Sequence, residues 1–555
     1  MEMAKYTVGM DFGTLSARAV VADTANGRIL SGAEFVYPHG VMDARLPDGA
    51  PLPLDYALQH PRDYLDALSA AIPEAVRKSG VDPADVVGIG IDFTACTVLP
   101  VDAAGTPLCL LPEWEHSPHA YVKLWKHHAA QGLAHRIADI ARQRGEEWLS
   151  LYGGEVSSEW NLPKLWEVLE EAPELYRAMY AWVEAGDWIV WQLTGRLTQN
   201  ACAAGYKSFY RKGKGFPSQD FYAAIDPRLQ NVIAEKCFVP VVNLGTRVGG
   251  LTDAMAQSLG LRPGIAVAAA NVDAHVCVPA AGLTQPGQML AIMGTSSCHM
   301  MLSHTVRAVP GMCGMVQDGL IPGFLGYEAG QSCVGDHFAW FCDRCVPARY
   351  REEARRQGVN IHQYLTELAQ KLRPGESGLL ALDWWNGNRS VLVDIDLSGL
   401  MLGMTLQTKP EEMYRALIEA TAYGARKIVE NYRACGVPVT AFFATGGISQ
   451  KNPMAMQIYA DVLNMPVRIV DASQGAALGS AIFGAVAAGS ADGGYDDVIS
   501  AIQAMSAPSV KTYEPIPENA AVYERLYREY EALHDYFGRG QNPVMKTLKA
   551  IKQGE

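Results

Sequence analysis

The sequence is short of several things, and each shortage excludes a class of function. Positive charge is scarce: 46 Lys plus Arg stand against 59 Asp plus Glu in 555 residues, a formal charge of -13. No basic stripe exists to neutralise a nucleic-acid backbone or an anionic lipid surface, so neither is expected as a partner. Charge of either sign is sparse at 19%, while 49% of residues are hydrophobic, enough to fill more than one core and too many for a disordered chain. The eleven cysteines are odd in number and scattered without a paired framework, which predicts a reduced, cytoplasmic protein. The opening MEMAKYTVGMD has no basic stretch followed by an apolar one, as secretion would need. Long Leu/Ile/Val runs are missing too. Residues 274–307 carry no charge before Arg307, but they contain Pro279, Pro286 and three histidines. Residues 472–491 are uncharged as well, yet mostly Gly, Ala and Ser. Both are expected to be interior segments rather than membrane spans. The group Cys333, His337, Cys342 and Cys345 has zinc-ligand residue types, but only one pair has zinc-like spacing, and DHFAWFCDRC reads as an amphipathic helix.

What is present is a repeated arrangement. YTVGMDFGTLSARAVVADTANGRIL reads as a strand, a turn at 12–14, a second strand and a further turn at 24–27. Halfway along, GQMLAIMGTSSCHMMLS repeats strand, Gly-Thr-Ser turn and strand. Helical segments and further strands alternate after each hairpin, which predicts an α/β fold built as a divergent duplication. The helical segments include LPKLWEVLEEAPELYRAMYAWVEAGDWIVWQLTG; VVGIGIDFT is a strand ending near Asp92. The turn residues of SLGLRPG place the boundary near Gly260, giving domains 1–260 and 261–555, the second ending in a Tyr-rich helical tail.

Four features carry chemistry. At Gly13-Thr14 and at Gly294-Thr295-Ser296, glycine lets backbone N–H groups approach an anion and a hydroxyl follows, a cradle for phosphate. Asp11, at the end of the first strand, is placed to face a magnesium ion held largely through water. In TGGISQKNPMAMQIYADVLNMP a strand runs into Gly446-Gly447, and Asn452-Pro453 opens a helix. Packing is not expected to need both glycines, and a purine lying against bare backbone would. Finally, an apolar strand at 265–270 delivers Asp273 at its carboxyl end, where α/β proteins place ligands. Helix capping alone would explain Asp273; so would accepting a hydroxyl proton in phosphoryl transfer, a reaction in which positioning outweighs base strength.

Taken in order, Asp11-Phe12-Gly13-Thr14, Asp273, Gly294-Thr295-Ser296, Gly446-Gly447 with ADVLNMPV, and GAALGSAIFGAVAAG resemble the FGGY carbohydrate kinases over essentially the whole chain. The resemblance implies two duplicated α/β domains of the actin, sugar-kinase and Hsp70 type (RNase H-like) with an interdomain active-site cleft, and transfer of the γ-phosphoryl of ATP to a sugar hydroxyl. It implies Asp273 as catalytic base, Asp11 and Asp273 towards Mg²⁺, Gly13, Thr14, Gly294, Thr295 and Ser296 on the phosphates, and Gly446, Gly447 and Asn452 on the adenosine. The sequence departs from the family mainly around the substrate, with Asn271-Val272-Asp273-Ala274 for the common Gly-Gly-Asp-Gln, and EWEHSPHAYVKLWKHHAAQ for the usual Trp-x-Asp-x-Arg segment. Those departures, with LPDGAPLPLDYALQHPRDY and ACAAGYKSFYR, resemble the branch that phosphorylates L-ribulose at its 5-hydroxyl in arabinose breakdown. In that branch the sugar would meet Asp92, Ala95, Lys207, Asp273 and Glu328, with Lys207 donating and Glu328 accepting. Another pentulose or a pentitol (D-ribulose, ribitol, D-xylulose) and a non-catalytic, chaperone-like ATPase are the alternatives. The expected partners are the sugar and MgATP, with a homodimer admitted.

Overall fold

The computed structural model describes residues 4–471 and 474–553. The chain forms two compact units, one comprising Met1–Thr284, Met315–Gly326 and Gln474–Ala507, the other Gln285–Gly314, Tyr327–Ser473 and Pro508–Glu555.

The first unit is organised on a mixed sheet. Strands Tyr6–Phe12, Ser16–Asp23 and Ile29–Val36 form an antiparallel meander, and Val86–Phe93 runs parallel beside the first of them. Ala266–Ala268 and Asn271–Val272 then pair parallel with Val86–Phe93. The near-continuous apolar character of Val86–Phe93, buried at every position, is what a strand covered on both faces requires. One of those covers is the helix Gly475–Ala488, uncharged and almost wholly buried. It lies so close that a Cβ on Gly90 would collide with the carbonyl oxygen of Ser480. No side chain separates helix and sheet there.

This packing corrects the expected boundary near Gly260. The turn at Gly260 exists, with φ 65°, but it only closes the helix Asp253–Leu259. The strands after it complete the first sheet, so Asp273 and the Gly/Ala-rich helix pack within the first unit. Turn residues mark where a chain bends; strand pairing decides where a domain ends. The long helical expectation over LPKLWEVLEEAPELYRAMYAWVEAGDWIVWQLTG is likewise divided, into helices Asn161–Glu171, Pro173–Ala178 and Ala185–Thr194 around a short strand Ala181–Glu184. That strand pairs antiparallel with Val98–Val101, and pairing overrides the local helical pattern.

The second unit repeats the theme. Gln288–Met293 and Ser297–Ser303 form the second hairpin, Ala441–Thr445 runs parallel beside the first of these strands, and Val467–Val470 and Ser509–Tyr513 extend the sheet. The helix Gly335–Arg344 forms over the expected amphipathic segment. The Tyr-rich tail is the helix Pro517–Gly538, whose buried Tyr523 donates to Glu419 and accepts from Arg415 of the helix Pro410–Ala434. Among the described residues, no helix is long and apolar enough to cross a membrane.

Gly90→Ala places a methyl group where the Ser480 carbonyl sits, and is expected to cost the first unit about 3 kcal/mol. A lower denaturant midpoint, followed by far-UV circular dichroism, would register it; an unchanged midpoint would show the helix to be looser than described.

Candidate functional site

In the first unit, register decides which side chains meet. Asp11 pairs with Asp92 across the parallel strands, and Asp92 pairs with Asn271, two residues before Asp273. Three neighbouring parallel strands therefore end level with one another, and all three carry an Asp at or just past that end. Asp92 is fully buried. Its Oδ2 accepts from Ser480 Oγ at 2.6 Å, and its carboxyl is also hydrogen-bonded with that of Asp11. Burial, then the neighbouring charge of Asp11, pushes the Asp92 carboxyl well above the usual range. Burial also raises that of Asp11, against the hydrogen bond with Asp92 and the positive charge of Arg18, its partner on the adjacent strand.

Asp273 is half-buried and is the first residue of the helix Asp273–Ala280. Asp273 is not the N-cap: that position is Val272, and the Asp273 carboxyl accepts the amide of the next residue, Ala274, at 2.7 Å. Lys207 ends the helix Ala201–Ser208, which packs against Asn271–Val272. It is 3% exposed, with its ammonium 5.7 Å from the ring centre of Tyr206. Ala95 sits in the turn just beyond Val86–Phe93. The Gly13-Thr14 turn is pinned from outside the hairpin: Gln59 donates to the Thr14 carbonyl at 2.7 Å, and the Trp125 indole donates to Thr14 Oγ1 at 3.2 Å.

In the second unit the same logic gathers the other residues. Ile292 pairs with Thr445, so the Gly294-Thr295-Ser296 turn and Gly446-Gly447 follow neighbouring parallel strands at the same end. Gly294 and Thr295 are exposed, and their carbonyls accept the amides of Val334, Gly335 and Asp336 as the helix Gly335–Arg344 begins. The two adenosine glycines differ. Gly446 has φ 98°, and a Cβ there would strike the backbone of Met293, so packing requires this one of the two glycines. Gly447 is exposed, and a Cβ on it would meet nothing within 4 Å. Asn452 is the helix N-cap as expected, its side chain accepting from the amide of Ala455 at 3.0 Å. Glu328 is 2% exposed on the strand Leu325–Gln331 and accepts from Arg389 at 2.7 Å. A solvated surface charge describes neither it nor Lys207.

Ser480, Gln59, Trp125 and Arg389 escaped the sequence reading, because each acts on a partner far away in the chain and belongs to no local pattern. Arg389→Met withdraws the guanidinium from the buried Glu328 carboxylate. Because Arg389 is itself partly exposed, a loss of about 2 kcal/mol is expected. A double-mutant cycle with Glu328→Gln is expected to recover most of it; additive losses would mean that the two groups are not coupled.

Residues 6–278 match the FGGY family of carbohydrate kinases, N-terminal domain, and residues 289–488 match the C-terminal domain of the same family. The chain is 54% identical over 552 residues to a ribulokinase of Geobacillus thermodenitrificans, covering 99% of this chain and 97% of that one. It is 55% identical over 539 residues to a ribulokinase of Bacillus licheniformis, covering 97% and 98%. Its fold is similar to that of xylulose kinase from Rhodospirillum rubrum, with TM-score 0.78, 22% identity and coverage of 96% and 98%. It is also similar to that of Plasmodium falciparum glycerol kinase, with TM-score 0.74, 13% identity and coverage of 95% and 98%. With both family domains matched in order and relatives more than half identical along nearly its whole length, the chain belongs to the FGGY family of carbohydrate kinases and is an ATP-dependent sugar kinase.

Proposed function

We propose that this enzyme transfers the γ-phosphoryl of MgATP to the 5-hydroxyl of L-ribulose, giving L-ribulose 5-phosphate in L-arabinose catabolism. The observation that carries the reading is the 54% identity to a ribulokinase over 99% of the chain, which takes in the segments where this sequence departs from the wider family. The disposition of polar groups is in keeping with it. A polyhydroxylated substrate loses about 1 to 3 kcal/mol for each hydroxyl left without a partner on burial. Lys207 is a buried cation, Glu328 a buried carboxylate held by Arg389, and Asp92 a buried carboxyl held by Ser480.

In this reading Asp273 accepts the proton of the attacking hydroxyl. Its carboxyl stands at the start of a helix, and a loose phosphoryl-transfer transition state asks little of the base because the proton moves late. The Gly13 and Gly294 amides close their own hairpins, and the phosphates are bound by the following residues of each turn, Thr14 in one and Thr295 and Ser296 in the other, with glycine giving them close approach. Gly447 leaves room for the adenosine over bare backbone, and Asn452 fixes the helix beside it. The carboxylates of Asp11 and Asp273 are hard oxygen donors, neither fully enclosed, which suits a magnesium ion that keeps most of its water. When bound with the nucleotide, the metal supplies neutralisation of phosphate charge.

A coupled ADP-release assay over L-ribulose, D-ribulose, ribitol, L-arabitol and D-xylulose tests the substrate. L-ribulose is expected to give the highest kcat/KM; a preference for another sugar would replace it, and release without any sugar would favour a chaperone-like ATPase. Asp273→Asn is expected to lower kcat by about 10²- to 10⁴-fold with ATP binding retained, and near wild-type turnover would remove Asp273 from the role of base.

A further inference from the structure

Lys164 lies in the first turn of the helix Asn161–Glu171 and is completely buried. Its ammonium donates to the carbonyl of Cys96 at 2.7 Å and to the carbonyl of Leu124 at 2.8 Å. Burying an ammonium costs several kcal/mol unless its protons are matched, and an uncharged side chain of the same length would fill the space without that cost. Packing alone therefore does not account for a lysine here. Burial lowers its pKa to about 8.

The two carbonyls it joins are not ordinary ones. Cys96 has φ 54°, a left-handed conformation that costs a non-glycine residue about 1 to 2 kcal/mol. It sits in the turn that follows Val86–Phe93 and contains Ala95. Part of that turn is held by its own residues: Thr94 and Thr97 bond through their hydroxyls at 2.7 Å, and Thr97 donates to the Ala95 carbonyl at 3.3 Å. The Cys96 carbonyl is held from outside, by Lys164. Leu124, the other end of the link, immediately precedes Trp125, whose indole reaches Thr14 Oγ1. One ammonium thus ties the Ala95–Cys96 turn to the stretch of chain that braces the Gly13-Thr14 turn.

We propose that Lys164 is a positioning residue for the acceptor sugar, holding the Ala95–Cys96 turn in its left-handed form and in fixed relation to the Gly13-Thr14 turn. It touches neither sugar nor nucleotide; it acts through the backbone of Ala95, and so rests on the reading of Ala95 as a sugar contact.

Lys164→Met keeps the length and removes the donors, and Lys164→Gln keeps a neutral donor. For each, KM for sugar, KM for ATP, kcat and Tm are measured on the full-length enzyme beside wild type. The Met variant is expected to raise KM for the sugar at least 10-fold with KM for ATP within twofold and Tm within a few degrees, and the Gln variant to fall between it and wild type. Adding Cys96→Gly to Lys164→Met is expected to recover at least threefold of the lost KM, because glycine adopts the left-handed conformation without strain. Equal rises in both KM values, a lower Tm with unchanged kinetic constants, no recovery by Cys96→Gly, or failure of both single variants to fold would each overturn the proposal. Measuring wild type on the sugar panel keeps the substrate question separate: if another sugar is preferred, the variants are compared on that sugar.

Discussion

Where the helix Gly475–Ala488 meets the first sheet, backbone touches backbone, and most of the first unit depends on that contact. With glycine at position 90 and small residues along the helix, the two approach closely enough for Ser480 Oγ to reach Asp92 Oδ2. A larger side chain at the crossing would lift the helix away and leave the Asp92 carboxyl without its donor. The same contact carries a distant part of the chain into the first unit, and it covers the strand whose end delivers both Asp92 and the Ala95 turn. Core packing and site geometry are here a single constraint.

The two units use one device twice. In each, an antiparallel hairpin with a glycine at its tip lies beside a parallel strand, so that a glycine turn and a second feature emerge at the same end of the sheet. In the first unit the second feature is a set of carboxylates; in the second it is a pair of glycines. A duplicated scaffold has been filled with opposite chemistry, acidic in one half and bare backbone in the other. Such a division suits a reaction whose donor is a polyanion and whose acceptor is a neutral alcohol. In the proposed reading, glycine turns rather than a surplus of Lys and Arg receive an anionic nucleotide in a chain of charge -13.

Much of this was legible in the residues. The hairpins follow from apolar runs broken by glycine turns, the helix at Pro453 from its Asn-Pro start, and the C-terminal helix from its Tyr-rich, charged composition. The domain boundary was not legible, because the turn at Gly260 looks like a boundary and only strand pairing reveals otherwise. That Gly446 is needed for packing was not legible either, because its positive φ and its closeness to Met293 appear only in the fold; the open space at Gly447 is what a ligand could use. Ser480, Arg389 and Gln59 share a different reason for having been missed. Each is an unremarkable polar residue in its own segment and gains a role only from a partner that the fold brings to it.

The first unit is assembled from three separated stretches of chain, and the bond between Ser480 and Asp92 spans 388 residues. A growing polypeptide emerging from the ribosome therefore displays the first sheet with one face uncovered while almost all of the rest is being made. Its glycine-floored groove waits for a helix that arrives late, and long-range closure of this kind is slow and exposed to misassembly. The final closure of this unit falls after, rather than before, the second unit has had most of its sequence in which to form.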